Sequence, residues 1–473
     1  MKLPKSIKEN QENLLNKVYS AVELTQSYLD RIEKYDKELN AFITVTADIA
    51  LAKAAEIDKL VDQKGKQAFV DQPLLGSVVA HKDIYLTKGI KTTAASNLLK
   101  DFIAPYSASV VERLEAAGVI MIGKLNCDAW AHGSSGENSD FGPAKNPWNI
   151  QYSPGGSSSG SGVAPAADFS LFSTGTDTCG SIRLPANYCG LVGLKPTYGA
   201  VSRYGVIAMA SSLDTVGHIT KTVEDSKRIF EVTRGSDGYD STVVDSPKYN
   251  EKLDPGKKIR IGIPKEFFIE GLSPEVKDSV MNATKKLEKM GAELVEVSLP
   301  HTKYAIDVYY VVQPAEVSSN LGRFDGVRFG ENRDAFGEEA KRRIMLGTYV
   351  LSAGFYDAYY LKAMKVRSII IKELNSVFKD VDALIAPVAP TPAFKLGEKI
   401  SDPLQMYLTD IFAATANLSG IPSLAIPSGF TQDNLPLGFQ LMAPRFSENL
   451  LFDMGMKFEE QVNILDKQPN LES

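Results

Sequence analysis

Cysteine and histidine are both scarce in this chain, three of the first and four of the second among 473 residues. Cys127, Cys179 and Cys189 form no Cys-x-x-Cys pair, which argues against a disulfide framework and suits a reducing compartment. His81, His132, His218 and His301 share no ligand-like spacing, so a zinc site is not expected. No apolar run approaches the roughly 18 residues that a membrane span requires. The start, Met1-Lys2-Leu3-Pro4-Lys5, runs into polar Glu9-Asn10-Gln11-Glu12 rather than a signal sequence. A basic excess is missing too: 52 Lys and Arg stand against 58 Asp and Glu, a formal charge of −6, so the overall balance recruits no nucleic acid. No repeat, heptad run or low-complexity segment interrupts the chain. A cytoplasmic protein of ordinary globular composition, 44% hydrophobic and 23% charged, is the expectation.

What is present is an alternation of helical and strand patterns. Residues from about Ser6 to Leu60 read as helices, with Leu24, Tyr28, Ile32 and Tyr35 at helical spacing. Asp62 to Asp71 reads as a polar connection. Then come a strand at Leu74–Ala80, a helix at Ser109–Ala117 with Val110, Val111 and Leu114 on one face, and a strand at Val119–Ile122. Ser273-Pro274-Glu275 reads as a helix start that Gly291 closes, between strands Ile259–Ile263 and Glu293–Val297. A long helix from about Tyr356 to Phe378, strands at Ala383–Pro387, Ser423–Ile426 and Leu437–Leu441, and a helix after Ser447 complete the pattern. Alternation carried to the end implies an α/β fold with a mainly internal sheet.

Two Gly/Ser-rich turns stand out. Tyr152-Ser153-Pro154-Gly155-Gly156-Ser157-Ser158-Ser159-Gly160-Ser161-Gly162 is followed, after small and apolar residues, by Ser173-Thr174-Gly175-Thr176-Asp177-Thr178-Cys179-Gly180-Ser181-Ile182-Arg183. Such turns present hydroxyls and bare backbone N–H groups at the ends of rigid elements, as acyl transfer needs. A flexible linker is the bland reading of the first turn, but the Pro147-Trp148 flank and the second glycine turn argue against it. A phosphate cradle fails because no Gly-Lys-Ser/Thr follows the glycines. Gly156-Ser157-Ser158-Ser159-Gly160 also matches G-x-S-x-G, which would make Ser158 a nucleophile, but that motif needs a strand before it and a downstream histidine. With histidine demoted, Lys82 at the end of an apolar strand becomes the candidate base. Its reference pKa of about 10.4 must fall toward 7, a cost of roughly 4–5 kcal/mol to the charged form that burial can supply. The competing reading of Lys82 is a solvated strand-end lysine paired with Asp83.

These stretches resemble the amidase signature family. Gly155-Gly156-Ser157-Ser158, Gly175-Thr176-Asp177-Thr178, Gly180-Ser181-Ile182-Arg183 and Gly190-Leu191-Val192-Gly193-Leu194-Lys195-Pro196-Thr197 match its pattern in order. The resemblance implies one large domain with a central mixed sheet covered by helices on both faces. Residues 1–64 would form a helical region continuous with the 65–473 signature domain. It implies Lys82 as base, Ser157 as bridging serine after a cis peptide, Ser181 as nucleophile, and the N–H groups of Thr178, Cys179, Gly180 and Ser181 as oxyanion hole.

Further matches are those of the family's glutamine-hydrolysing, tRNA-dependent amidotransferase subunits. They include Pro196-Thr197-Tyr198-Gly199, Ser318-Ser319-Asn320-Leu321, Lys341-Arg342-Arg343-Ile344-Met345-Leu346-Gly347 and Tyr356-Asp357-Ala358-Tyr359-Tyr360. That likeness implies a glutamine head held by Tyr309 (Tyr310 its neighbour), Arg343 (or Arg342) and Asp410. It implies partner subunits B and C in a heterotrimer. ATP and Mg²⁺ would be used by a partner rather than by this chain, which itself has no cofactor or metal. The misacylated tRNA, Glu-tRNA(Gln) or Asp-tRNA(Asn), would be held mainly by the partner. A stand-alone amidase for aryl or alkyl amides and a catalytically silent scaffold are the alternatives. Cys179 stands where the family's first turn glycine is expected, and is strained if that position needs positive φ.

Overall fold

In the computed structural model, which describes residues 1–250, 256–268, 271–328, 330–399, 403–462 and 467–472, eleven short strands join into one mixed sheet. They are β1 (Phe42–Val45), β2 (Val78–Lys82), β3 (Ile120–Leu125), β4 (Phe172–Asp177), β5 (Val192–Lys195), β6 (Thr215–Thr220), β7 (Arg260–Pro264), β8 (Glu293–Val297), β9 (Ala383–Pro387), β10 (Ser423–Phe430) and β11 (Pro436–Met442). Their order is β1-β3-β2-β4-β6-β5-β10-β11-β9-β7-β8. β2 is parallel to both β3 and β4, and β7 is parallel to both β8 and β9, while the pairs between them are antiparallel. Parallel strands buried on both faces need covering helices. Every residue of β2, β3, β4, β9 and β11 is buried.

The N-terminal region packs on one end of this sheet. Helix Ala21–Leu39 opens with a capping box between Ser20 and Glu23 and buries Leu24, Tyr28 and Ile32, the stripe expected from its spacing. These join Leu14, Ile57, Val78, Ala80, Ile120 and Ile122 in one apolar cluster. Asp225 fastens helix Ile7–Leu15, its two oxygens accepting the Ile7 N–H at 3.1 Å.

Several boundaries differ from the sequence reading, each for a local reason. The helices before Leu60 are interrupted by β1, whose four residues pair antiparallel with β3 across a register shift and are too few to show a period. The segment expected as a polar connection is helical: Ala47–Lys64, then Lys66–Asp71, with Gly65 at φ 53° between them. β2 starts only at Val78, because Leu74 to Ser77 form a turn in which the Ser77 N–H donates to the Leu74 carbonyl. The long helix from Tyr356 opens as a π turn, Tyr356–Leu361, before continuing as Lys362–Val377. The Ser273 side chain makes no capping bond, although Pro274 does open the helix.

Candidate active site

β2 ends at Lys82, whose side chain is fully buried. Nζ donates to Ser157 Oγ at 2.8 Å and to Thr176 Oγ1 at 3.0 Å. The competing pairing with Asp83 does not occur: that carboxylate pairs with Lys124 at 3.1 Å and accepts from the Thr93 N–H at 2.8 Å. Lys82 therefore faces hydroxyls. Burial lowers its pKa, while the charges of Cys127, Asp128, Asp214 and Asp177 act in the opposite sense.

Ser157 follows a cis peptide bond with Gly156, in a loop just before helix Ser159–Ala166. A Cβ at Gly156 would stand 2.0 Å from Asp128 Oδ2, so only glycine admits the chain here. Ser158 points elsewhere. Its Oγ donates to the Thr176 carbonyl at 3.2 Å and accepts the Thr176 N–H at 3.4 Å, both within the fully buried β4. No strand precedes it directly, as the G-x-S-x-G reading would need.

Ser181 lies at the end of the 177–183 turn, and the Ser158 N–H donates to its carbonyl at 3.2 Å. It is 7% exposed, whereas Lys82 and Ser157 are fully buried, so it is the member of the three that a substrate can reach. Asp177 shapes the turn. It accepts the N–H groups of Gly180 (2.7 Å), Ile182 (3.2 Å) and Arg183 (3.3 Å), and both its oxygens take the Arg183 guanidinium at 3.0 Å. Burial raises its pKa, but Arg183 outweighs burial and holds the carboxylate well below the usual range. Arg183 goes on to Gln440, Asn417 and the Ala413 carbonyl, locking the turn to β11 and to helix Ala414–Ser419.

Gly180 thus spends its N–H on Asp177, which removes it from the four expected oxyanion donors in this arrangement. The N–H groups of Thr178, Cys179 and Ser181 make no hydrogen bond among the described residues and remain available. Gly180, not Cys179, carries the positive φ, at 102°, so the strain expected for a cysteine in the turn does not arise. Burial pushes the Cys179 thiol well up, keeping it protonated.

Asp410 adjoins this turn: a Cβ at Gly180 would lie 3.9 Å from its Oδ1. Its Oδ2 accepts from Ser134 Oγ at 2.7 Å and from Tyr310 OH at 3.4 Å, and burial raises its pKa to about 7. The hydroxyl that meets Asp410 is thus that of Tyr310, while Tyr309 packs edge-on against the Tyr310 ring at 4.9 Å. Arg343 is buried, donating to Glu339 Oε1 (2.7 Å) and Gln313 Oε1 (2.8 Å), with its guanidinium 4.8 Å over Tyr310 and 5.0 Å over Tyr407. Arg342 is half-exposed and pairs with Glu339. A cavity of about 220 Å³ is lined by Ser134, Tyr310, Arg342, Arg343 and Tyr407. Asp410 stands behind two of these walls, bonded to Ser134 and Tyr310, and against the Ser181 turn. A buried cation lining a cavity and a buried acid behind its wall can together receive a zwitterion near a serine.

Thr176, Ser134 and Asp128 were not singled out by sequence. Thr176 lay within the quoted second turn, and its strand is buried yet reads Phe-Ser-Thr-Gly-Thr-Asp, a polarity that marks a working strand. Ser134 has no local signal, because its contact with Asp410 is distant in sequence; Asp128 takes the nearby N–H groups of Gly136 and Asn138 in a turn that no motif marks.

The chain belongs to the Amidase family, whose model matches residues 23–452. Within it the chain is 51% identical to the A subunit of the glutamyl-tRNA(Gln) amidotransferase of Geotalea daltonii, over 97% of both chains. The crystal structure of the corresponding A subunit from Thermotoga maritima superposes with a TM-score of 0.82 at 38% identity, covering all of both chains. The peptide amidase of Stenotrophomonas maltophilia gives the same TM-score at 28% identity over 99% of each.

Proposed function

We propose that this chain is the glutaminase subunit of a tRNA-dependent amidotransferase. The observation that carries the reading is a pair of buried ionisable groups: Arg343, which lines the cavity, and Asp410, which lies against the Ser181 turn and bonds Ser134 and Tyr310 in the cavity wall. A simple alkyl or aryl amide has no use for either charge, whereas glutamine carries an α-carboxylate and an α-ammonium. Arg343 takes the first and Asp410 the second, with Tyr310 in the pocket wall and Tyr309 packed against it. The likeness to the A subunits of glutamyl-tRNA(Gln) amidotransferases supports the same assignment.

In the proposed reaction Ser181 Oγ attacks the side-chain amide carbon of glutamine. Its proton passes to Ser157 Oγ as the Ser157 proton passes to neutral Lys82 Nζ. The tetrahedral oxyanion is met by N–H groups of the turn, each such donor being worth ~2.7–4 kcal/mol in the transition state. Collapse expels ammonia, protonated through the same relay in reverse, and leaves a glutamyl ester on Ser181. Water, deprotonated through Ser157 and Lys82, cleaves the ester and releases glutamate. Lys82 can act only if neutral, and an environment of two hydroxyls under full burial favours that form. The ammonia goes to partner subunits B and C, which bind misacylated tRNA and use ATP and Mg²⁺. The working location is the cytoplasm; among the described residues no helix is long and apolar enough to cross a membrane.

The test compares Arg343→Ala and Asp410→Ala on glutamine and on butyramide, with the partner subunits present. A charge-assisted hydrogen bond is worth ~1.5–3 kcal/mol, so each change should lower kcat/KM for glutamine roughly 10–150-fold and leave butyramide nearly unchanged. Equal losses on both substrates would contradict the assignment.

A further inference from the structure

Asp128 has no step in the reaction above, yet the site is folded around its carboxylate. Oδ1 accepts the Asn138 N–H at 2.9 Å and Oδ2 the Gly136 N–H at 3.1 Å, gathering residues 133–138 into a turn. Two glycines clear the space it occupies: a Cβ at Gly156 would meet Oδ2 at 2.0 Å, and one at Gly133 would meet Cγ at 2.5 Å. The Asp128 N–H donates to the carbonyl of Ser157 at 3.1 Å. Asp128 therefore grips the bridging serine with its backbone and the 133–138 loop with its side chain.

That loop reaches the other end of the site. Its Ser134 Oγ donates to Asp410 Oδ2 at 2.7 Å. The carbonyl of Ser135 accepts from Ser153 Oγ at 2.7 Å, and Ser153 Oγ in turn accepts the Gly155 N–H at 2.9 Å. The loop is braced internally by Asn138 Nδ2, which donates to the His132 carbonyl at 2.7 Å. A continuous chain of short contacts thus runs from Asp410 through Ser134 and Asp128 to Ser157 and Lys82. An ammonium group binding Asp410 meets a carboxyl that already holds Ser134, and a shift of Ser134 would be carried by a loop fixed to the catalytic serine.

We propose that Asp128 is a positioning residue that couples occupancy of Asp410 to the alignment of the Ser157–Lys82 pair. Binding of the substrate's head group then acts on the chemical step as well as on affinity. The Asp410 half of the coupling rests on the glutamine reading; the Asp128–Ser157 half does not.

The experiment uses the chain assembled with its partner subunits and measures kcat and KM separately on glutamine and on butyramide. Asp128→Asn replaces one accepting oxygen with an NH₂ group that faces an N–H, so it should lower kcat at least ~10-fold on both substrates. On glutamine, Ser134→Ala should lower kcat as well as raise KM, because a residue that only helps binding moves KM alone. The double variant on glutamine should be no worse than Asp128→Asn within ~2-fold, since both cut one link.

Should Asp128→Asn fail to fold, Asn138→Ala loosens the same loop while keeping the carboxylate, and should lower kcat on both substrates. Unchanged kcat on butyramide for the loop variant that folds overturns the proposal. So does a Ser134→Ala effect confined to KM, or fully multiplicative losses in the double variant. If the unsubstituted complex shows no preference for glutamine over butyramide, the glutamine reading and the Asp410 half fall together. The butyramide kcat of Asp128→Asn then judges the Ser157 half by itself.

Discussion

Lys82 Nζ and Ser157 Oγ stand 2.8 Å apart across 75 residues of sequence, with both side chains wholly buried. No carboxylate makes an ion pair with this lysine among the described residues, although Asp83 follows it directly and Lys124 takes that carboxylate instead. A buried ammonium without a counter-ion is costly, so the arrangement favours the amine that the proposed reaction requires.

Lys82→Ala should remove nearly all ammonia release from glutamine, about as completely as Ser181→Ala, because residues acting as one relay fail together. Lys82→Arg should be no better, since a guanidinium stays protonated. Steady-state ammonia assays on the two variants check this, and an active arginine variant would contradict a neutral base.

Ser158→Ala should cost stability rather than activity. The hydroxyl is engaged by both backbone groups of Thr176, and leaving a buried N–H unpaired costs ~1–3 kcal/mol. Thermal melts should show the loss, while kcat on glutamine stays within a few-fold of the unsubstituted chain.

The Asp177–Arg183 pair is predicted to be structural for the turn that carries Ser181. Both side chains are fully buried, so Arg183→Met, which leaves the carboxylate unpaired, should destabilise by ~3–5 kcal/mol. Denaturant titration measures this. A variant as stable as the parent would mean that the three N–H bonds to Asp177 suffice alone.

What the sequence made legible was chemistry with a local signature. The two serine turns and the strand ending at Lys82 could be read because glycine spacing and an apolar run are written in consecutive residues. β4 could not be read as a strand, because its alternation is of hydroxyls and glycine rather than of apolar residues. β1 was hidden by its shortness between two helices. Ser134 was invisible because its partner lies far along the chain, Asp410 across 276 residues; Asp128 folds a nearby turn, at Gly136 and Asn138, that carries no motif. The choice between Arg342 and Arg343 likewise needed the helix face, which buries Arg343 and leaves Arg342 half in solvent.

Glu459 should remove stability as pH rises through neutrality. Burial, with Asp225 and Glu224 adding, raises its pKa from 4.5 to about 8, while the Val223 N–H acts in the opposite sense. A carboxyl with a raised folded pKa stabilises fully below its unfolded pKa, and that contribution is lost as pH climbs through the folded one. Burial lowers His81 and His218 to about 3, so neither contributes a slope above pH 6.5. Buried Lys195, lowered to about 7, acts in the opposite sense above that pH, so the difference is what is read: between pH 6.5 and 8 the Tm of the unsubstituted chain should fall relative to that of Glu459→Gln. An equal or steeper fall in the variant would contradict the assignment.

The most direct test of the central claim is to find which atom carries the acyl group. The chain assembled with its partners is mixed with glutamine, quenched in acid within the first turnovers, digested and examined by mass spectrometry. The account predicts one added glutamyl group on the peptide bearing Ser181, absent from Ser181→Ala and lost on incubation before quenching. Ammonia release with the glutamyl group on Ser158, or with no adduct on any serine while Ser181→Ala remains active, would contradict it.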